Sequence, residues 1–421
     1  MAKGFVIAAP ASGSGKTSLT FGLLAALRDA GHKAQGFKVG PDYIDPHYHA
    51  IASGRPCPNL DPWAMRPETI RSILGESTAD LCVVEGVMGL FDGAASGGGS
   101  TADLAKSLGL PVVLVIDVKG QSQSVAAAVQ GFARFDPAVK VAGVILNRVG
   151  SSRHEIMLRE ALEPLGIPVL GALERLPELV WPSRHLGLTL PQELPDIAAQ
   201  ASMLSQKIRE SFDLQALLAL AETVPTGSAA GPNFFPAGAK VAIARDDAFR
   251  FAYPHWLSGS EVTFSPLNNE AIPADASFVF LPGGYPELHA EALSRADAFW
   301  SSLRAHHAKG TTIYGECGGY MALGQAMTVS GQRFEMGGLL PVVTHFTEGA
   351  ARTLGYRNVS APEDFWLGPR LKGHEFHASN AECLEPPHLL HIEDSRQASL
   401  GLHGHKNGNT LGSYLHIIDR A

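Results

Sequence analysis

Cysteine is scarce in this 421-residue chain: Cys57, Cys82, Cys317 and Cys383 are all there is, and no two form a C-x-x-C pair. That excludes a disulfide framework and a cysteine zinc site, and it makes a reducing cytoplasm the expected compartment. Long hydrophobic runs are also missing. No stretch approaches the roughly 20 apolar residues that span a bilayer, so no membrane partner is expected. The opening MAKGFVIAAPASGSGKT has too short an apolar run for a secretory leader and leads straight into a glycine loop. Positive charge is outweighed, with 33 Lys and Arg against 41 Asp and Glu for a formal net charge of −8. Such a balance argues against a nucleic-acid partner or an acidic lipid surface, though not against small anions at a local basic site. What is present is a globular composition, 45% hydrophobic and 18% charged. At this length two domains are expected.

In the first half, the runs FVIAA, AQGFKV, LCVVE, PVVLVID and VAGVIL alternate with helix-like segments. They are rich in Val and Ile and lack polar alternation, as strands buried on both faces of a parallel sheet do. The segment KTSLTFGLLAALRDAG reads as a helix closed by Gly31. Repeated strand–helix units imply a doubly wound α/β domain over residues 1–222. The stretch TVPTGSAAGPNFFPAGA, dense in Pro, Gly, Ala and Ser, reads as a linker over 223–238. The pattern restarts with KVAIA, EVTFSPL, ASFVFLPGG and TTIYGECGG, a second α/β domain over 239–421.

The loop after the first run, APASGSGKTSLT, ends like a phosphate loop, G-x-x-x-x-G-K-[ST], with Pro10 at the position of the first glycine. Gly13, Ser14 and Gly15 would turn backbone N–H groups toward phosphate at a helix N-terminus. Lys16 would add its charge, and Thr17 would place a hydroxyl on Mg²⁺. Ligands of doubly wound sheets bind beyond the carboxyl ends of the strands. Those ends carry Asp42, Asp45 and His49 in GPDYIDPHYH, Glu85 and Asp92 after LCVVE, Asp117, and Asn147–Arg148. A carboxylate that ends an apolar strand is costly to desolvate without a partner, and Mg²⁺ with a phosphate-bearing ligand would supply one. Lys38, Arg55 and Arg148 are candidates to meet an anionic substrate. The loop SRHLGL, Ser183–Leu188, adds a basic group and His185.

In the second half, Gly315-Glu316-Cys317-Gly318-Gly319 fits the nucleophile elbow G-x-S-x-G with cysteine for serine. The glycines permit a sharp strand-to-helix turn, and a helix N-terminus favours thiolate. Gly318 would offer its N–H to an oxyanion, with Gly284 of LPGGYPE as the second donor. For the partner base the residues leave His374, His377, His403, His405 and His416 open.

Together these motifs resemble a known family. GECGGYMALG, LPGGYPE and GSYLH are similar to the glutamine amidotransferase domain of the cobyrinic-acid synthase type, within class I. The first half resembles the dethiobiotin-synthetase-like ATP-binding domain of the same enzymes. GPDYIDPHYH, NLDPWA, VEGVMGLFDG, GVILNRVGSSRH and RHLGL look like the a,c-diamide synthase branch and set it apart from cobyric acid synthase. The resemblance implies that Cys317 forms a glutamyl thioester and that His416 activates it. The carboxylate that other class I enzymes carry two residues after the histidine is replaced by Ile418, which implies a Cys–His dyad. It further implies that Gly13, Ser14, Gly15, Lys16, Thr17 and Asn147 bind ATP and that Thr17, Asp45 and Glu85 serve Mg²⁺. Asp42 would share that site, and Glu375 and His377 of GHEFH would shape the interface between sites. Lys38, His49, Arg55 and Arg148 would meet the carboxylates of a corrinoid polycarboxylate, and L-glutamine would supply the nitrogen. A homodimer is a candidate assembly. Two rivals stand beside this reading: the same machinery acting on a nickel tetrapyrrole, and a P-loop switch ATPase with a vestigial second domain.

Overall fold

In the computed structural model the chain divides into two compact units, Met1–Trp63 with Pro67–Gly231, and Ala64–Arg66 with Pro232–Ala421. The structure describes residues 2–177, 179, 181–184, 187–227, 234–257, 259–347, 349 and 352–421.

The first unit is built on seven parallel strands: β1 (Lys3–Ala8), β2 (Ala34–Val39), β3 (Asn59–Leu60), β4 (Leu81–Glu85), β5 (Val112–Asp117), β6 (Val141–Val149) and β7 (Val169–Glu174). They lie in the order β3-β2-β4-β1-β5-β6-β7. The Val- and Ile-rich runs are the central strands, and β2 and β4 are buried along their whole length. Helices on both faces exclude water there, so nothing favours a polar residue until a strand ends. Helix α1 (Lys16–Asp29) is buried from Leu19 to Leu27 between the sheet and the helix Ile197–Ser211. It closes as expected, with Gly31 at φ 88° and its N–H on Arg28 O. Helix α2 (Asp45–Ser53) follows β2. β3 and β7 had no counterpart among the expected runs.

The second unit mixes pairings. A parallel core of β8 (Val241–Ala244), β9 (Val262–Phe264), β10 (Phe278–Leu281) and β11 (Thr312–Glu316) runs in the order β9-β8-β10-β11. Further along the chain are two long antiparallel strands, β12 (Thr353–Ser360) and β13 (Arg370–His377). The strands β14 (His405–Asn407), β15 (Thr410–Ser413) and β16 (Leu415–Arg420) close it. β15 extends the parallel sheet beside β11, and β16 pairs antiparallel with β13. Only the parallel part was expected.

The expected linker is shorter than its composition indicates. Glu222 and Thr223 pair with β1, and Gly227 N donates to Arg71 O. Phe234 and Phe235 are buried against Trp256 in the second unit. Residues 228–233, the remainder of that stretch before Phe234, lie outside the described residues.

The elbow after β11 depends on close backbone packing. A Cβ on Gly319 would lie 1.8 Å from Leu281 O on β10, a contact no rotamer can relieve because both partners are backbone. Gly319→Ala is therefore expected to cost about 3 kcal/mol and to lower the urea midpoint of the second unit. Gly131→Ala is the control. Gly131 lies in the helix Ser124–Phe135 with nothing within 4 Å of its Cβ position, so the change should stabilise by about 0.5–1 kcal/mol.

Candidate active sites

The loop between β1 and α1 places Gly15 at φ 87° immediately before Lys16. A Cβ there would fall 2.3 Å from Asn147 Nδ2, and that same amide donates to Ser14 O at 2.8 Å. Asn147, at the end of β6, thus clamps the loop. Lys16 is 7% exposed, and its ammonium donates to Met88 O at 2.5 Å and Ala11 O at 3.3 Å. Burial, then the neighbouring charge of Lys38, pulls its pKa down to about 8. A bound anion would relieve that penalty.

Behind Lys16 lies a buried charge cluster. Lys38 Nζ donates to Asp45 Oδ2 at 2.6 Å and to Glu85 Oε1 at 2.8 Å. Thr17 Oγ1 lies 3.1 and 2.9 Å from the same two oxygens. His49 Nε2 contacts Glu85 Oε2, and both side chains are fully buried. Burial alone would raise the Glu85 pKa. Lys38 and His49 overcome it and hold the carboxyl well below the usual range. Burial likewise opposes the charge on Lys38, and Asp45 and Glu85 outweigh it, lifting the ammonium above its ordinary value. A depressed carboxyl stabilises the fold above the ordinary glutamate range, and that contribution is lost as the pH falls toward its native pKa.

The oxygens of Thr17, Asp45 and Glu85 converge on one place, and Lys38 demonstrates that this place accepts a cation. Among the described residues no three His, Cys, Asp or Glu side chains form a metal cage. The Thr17 hydroxyl and the two carboxylates fit Mg²⁺, which takes one or two carboxylates and completes its shell with phosphate and water.

Other expected residues fall elsewhere. His49 has no exposed surface for a substrate and instead backs Glu85. Asp42 Oδ1 accepts the N–H groups of Ile44 at 2.7 Å and Asp45 at 3.0 Å, so it starts α2 and aims Asp45. Burial, then the charge of Asp45, raises its pKa. Arg148, at φ 62°, pairs with Asp117 Oδ2 at 2.5 Å. Together with Ser18, Lys119, Asn147, Arg175 and Leu176 it lines a cavity of about 360 Å³, away from Lys38. Arg55 bonds Thr78 Oγ1 at 3.0 Å. His185 lies outside the described residues. Sequence reasoning missed Asn59, whose amide ties Gly40 O at 2.8 Å to Asp42 O at 2.7 Å.

The second site forms where β11 breaks. Cys317 takes φ 47°, ψ −108°, conformationally costly for a residue with a Cβ, and Gly318–Leu323 is helical. Cys317 N donates to Ser413 O at 2.9 Å, which fixes the end of β15 beside the elbow. Three residues on, in β16, is His416. A Cβ on Gly283 would stand 2.4 Å from His416 Cε1, 3.0 Å from its Nε2 and 3.3 Å from Cys317 Cβ. The imidazole and the nucleophile therefore share one small space over a residue that must be glycine. Gly284 N lies 3.0 Å from the position of a Gly318 Cβ, so the two expected oxyanion donors adjoin.

The thiol behaves otherwise than expected. Burial, then the carboxylates of Glu287, Glu316 and Glu375, pushes its pKa up, against the Gly318 N–H, which lowers it. A six-residue helix cannot reverse desolvation at a site 2% exposed. Desolvation at this site favours the neutral thiol over the thiolate. Of the other histidines, His374 lies opposite His416 in the β13–β16 register. His377 binds Glu375 at 3.1 Å and Ser379 at 3.0 Å, and His405 binds the Tyr320 hydroxyl at 2.5 Å. His403 ends the strand Ser399–His403.

One carboxylate at this site went unnoticed in the sequence. Glu316 Oε2 lies 3.6 Å from His416 Nδ1. Its other oxygen accepts from the Tyr314 hydroxyl and from Ile417 N, each at 2.9 Å. The signal was present, because Glu316 ends an apolar strand as Glu85 does.

Comparisons with known proteins agree with the two-site arrangement. Residues 5–188 match the CobQ/CobB/MinD/ParA nucleotide binding domain, and residues 240–420 match the CobB/CobQ-like glutamine amidotransferase domain. The chain is 49% identical to the hydrogenobyrinate a,c-diamide synthase of Brucella anthropi, covering 99% of this chain and 98% of that protein. The proteins of that name from Rhizobium meliloti and Rhodobacter capsulatus are 48% and 46% identical, with 99% of this chain covered in each case and 99% and 98% of theirs.

Lys38→Met would leave Asp45 and Glu85 buried without their shared cation. In metal-free buffer this is expected to cost about 3–5 kcal/mol, read from urea unfolding of the first unit. Millimolar Mg²⁺ should restore part of the loss in the variant and leave the parent nearly unmoved.

Proposed function

The chain belongs to the hydrogenobyrinate a,c-diamide synthase family, and from that premise we propose that it amidates the a and c acetate carboxylates of a corrinoid, hydrogenobyrinic acid or its cobalt form. It is an amide-forming ligase of cobalamin biosynthesis with a glutamine amidotransferase domain and a nucleotide-binding domain. ATP would activate the carboxylate and glutamine would supply the nitrogen. Synthesis is assigned to residues 1–222 and glutamine hydrolysis to 239–421, in the cytoplasm. The observation that carries this reading is that one chain holds both a phosphate loop backed by Thr17, Asp45, Glu85 and Lys38 and a cysteine elbow facing His416.

A carboxylate resists attack by ammonia because oxide is a poor leaving group. Transfer of the γ-phosphoryl group of ATP to it makes an acyl phosphate, and ammonia then displaces inorganic phosphate. The backbone N–H groups of Gly13, Ser14 and Gly15 and the Lys16 ammonium suit the phosphates of ATP. Asn147 holds the loop in shape, and the cavity beside it and Arg148 suits the nucleoside. Thr17, Asp45 and Glu85 would hold Mg²⁺, which neutralises charge on the transferring group. Lys38 bridges those carboxylates, and Asp42 keeps Asp45 in place.

In the second unit Cys317 Sγ attacks the glutamine side-chain amide as its proton passes to His416. The oxyanion is met by the N–H groups of Gly318 and Gly284. Ammonia leaves with the proton returned by His416, and water hydrolyses the thioester to glutamate. Ammonia released from the amide carbon in a buried site starts unprotonated, the form that can attack an acyl phosphate.

The assay is ATP, Mg²⁺, hydrogenobyrinic acid and either glutamine or an ammonium salt, with the products weighed by mass spectrometry. Cys317→Ala should lose more than 10³-fold of glutamine-dependent synthesis and retain synthesis from ammonium. Lys16→Ala should lose both. Joint loss in a folded C317A protein would sink the division of labour, and a parent enzyme without glutaminase activity would point to a nucleotide switch instead.

A further inference from the structure

We infer that Glu316 is the positioning residue of the glutaminase site: its carboxylate holds His416 in the tautomer and orientation that turn the Nε2 lone pair toward the proton of Cys317. This rests on the assignment of Cys317 and His416 above and extends the dyad by a third member drawn from a place the sequence pattern does not mark.

The two nitrogens of His416 face different neighbours. Nε2 and Cε1 lie over Gly283 on the side of Cys317 Cβ, while Nδ1 lies 3.6 Å from Glu316 Oε2. A carboxylate at Nδ1 favours the proton there, so that Nε2 presents its lone pair to the thiol. Glu316 is itself held. The Tyr314 hydroxyl and the N–H of Ile417, the residue after His416, both bind Oε1 at 2.9 Å. These leave Oε2 for the imidazole. Burial and the charge of Glu316 push the Tyr314 pKa far up, which keeps that phenol a donor. Glu316 is 1% exposed and His416 1% exposed, so water does not compete for either group.

The arrangement follows from topology. In class I relatives the orienting carboxylate comes two residues after the histidine, where this chain has Ile418, fully buried. Here the parallel register of β11 with β15 sets Glu316 opposite Ser413. The chain then crosses from β15 into β16 and carries His416 back over the end of β11. The residue before the nucleophile thereby reaches the base from the opposite direction. Other ionisable groups at the site include His374, across the β13–β16 register, Cys317 itself, and Glu287, whose charge acts on the Cys317 thiol. His374 has its pKa lowered to about 3 by burial and by its neighbours His416 and Arg357. It is neutral in the working range and cannot take the place of a carboxylate. Glu375, on the same strand, is committed to Arg357 at 2.9 Å and His377 at 3.1 Å.

When Sγ attacks, its proton moves to Nε2 and the ring becomes an imidazolium. The carboxylate 3.6 Å from Nδ1 stabilises that charge in a site of low polarity. When ammonia leaves, Nε2 returns the proton and the ring is neutral again. Glu316 gains and loses nothing.

The test compares the full-length parent with Glu316→Gln and Glu316→Asp. In E316Q an amide N–H can face Nδ1 and favour the tautomer with its proton on Nε2. Glutaminase kcat should fall about 10²–10⁴-fold, while KM for glutamine changes less than threefold and ammonium-dependent synthesis stays within twofold. E316D should recover at least tenfold of the lost kcat. Alkylation of Cys317 by iodoacetamide provides a readout that simple loss of packing does not produce. In E316Q its rate at neutral pH should drop, with the rise in rate shifted to higher pH. Retention of glutaminase kcat within threefold in E316Q would overturn the inference. So would equal loss of ammonium-dependent synthesis in both variants, which would make Glu316 a structural residue. Failure of C317A to separate the two nitrogen sources would instead sink the parent reading.

Discussion

A carboxylate at the end of an apolar strand, deep enough to have lost its water, must be given a partner or lose its charge. Both sites of this protein grow from that constraint. Glu85 closes β4 with no exposed surface, and Lys38, Thr17 and His49 gather round it. Glu316 closes β11 at 1% exposure, and Tyr314, Ile417 N and His416 gather round it. The solutions differ in kind. Glu85 is met by a full cation, in a cluster that a metal ion and phosphates could join. Glu316 is met by neutral donors and by a base whose charge comes and goes. The first arrangement stores a permanent field, and the second waits for one to appear.

That difference matches what each site has to bind. The phosphate loop holds a lysine whose charge is disfavoured by burial and by Lys38, so an arriving anion is drawn to it. The thiol site is bordered by Glu287, Glu316 and Glu375, which oppose a second negative charge on Cys317. A buried neutral thiol is a poor target for stray electrophiles. On the proposed reading it becomes a nucleophile only when an acceptor takes its proton, and His416 shares the small space above Gly283 with it.

Much of this was legible in the sequence because it is local. Polar-free runs identified the central strands, GSGKT identified the phosphate loop, and GECGG identified the elbow, each through one short segment whose chemistry is self-contained. What was not legible depends on distant partners. β3 is two residues long and exists because β2 offers an edge. The antiparallel β12, β13 and β16 carry His374, Glu375 and Asp419 inside, which breaks the alternation that would have marked them. Phe234 and Phe235 sit in a stretch whose Pro and Gly content hid their burial. The thiol was read as activated because a helix start is visible in sequence while three carboxylates from distant segments are not. His49 was read as a substrate contact because nothing in GPDYIDPHYH says that Glu85 will lie on top of it.

Glu316 is the instructive omission, since the rule that singled out Glu85 applied to it unchanged. A strand-end carboxylate beside a nucleophile has few physical options. It can be neutralised by protonation, which would waste a donor in a site crowded with them. It can take a cation, and none of the described lysines or arginines bonds it. Or it can take neutral donors, which the Tyr314 hydroxyl and Ile417 N supply at 2.9 Å, while the register of β11 against β15 and the turn into β16 bring the His416 ring to 3.6 Å. Burial therefore does more than restrain Cys317. It sets Glu316 between the Tyr314 hydroxyl, the N–H of Ile417 and the His416 ring, and the same packing raises the thiol's pKa.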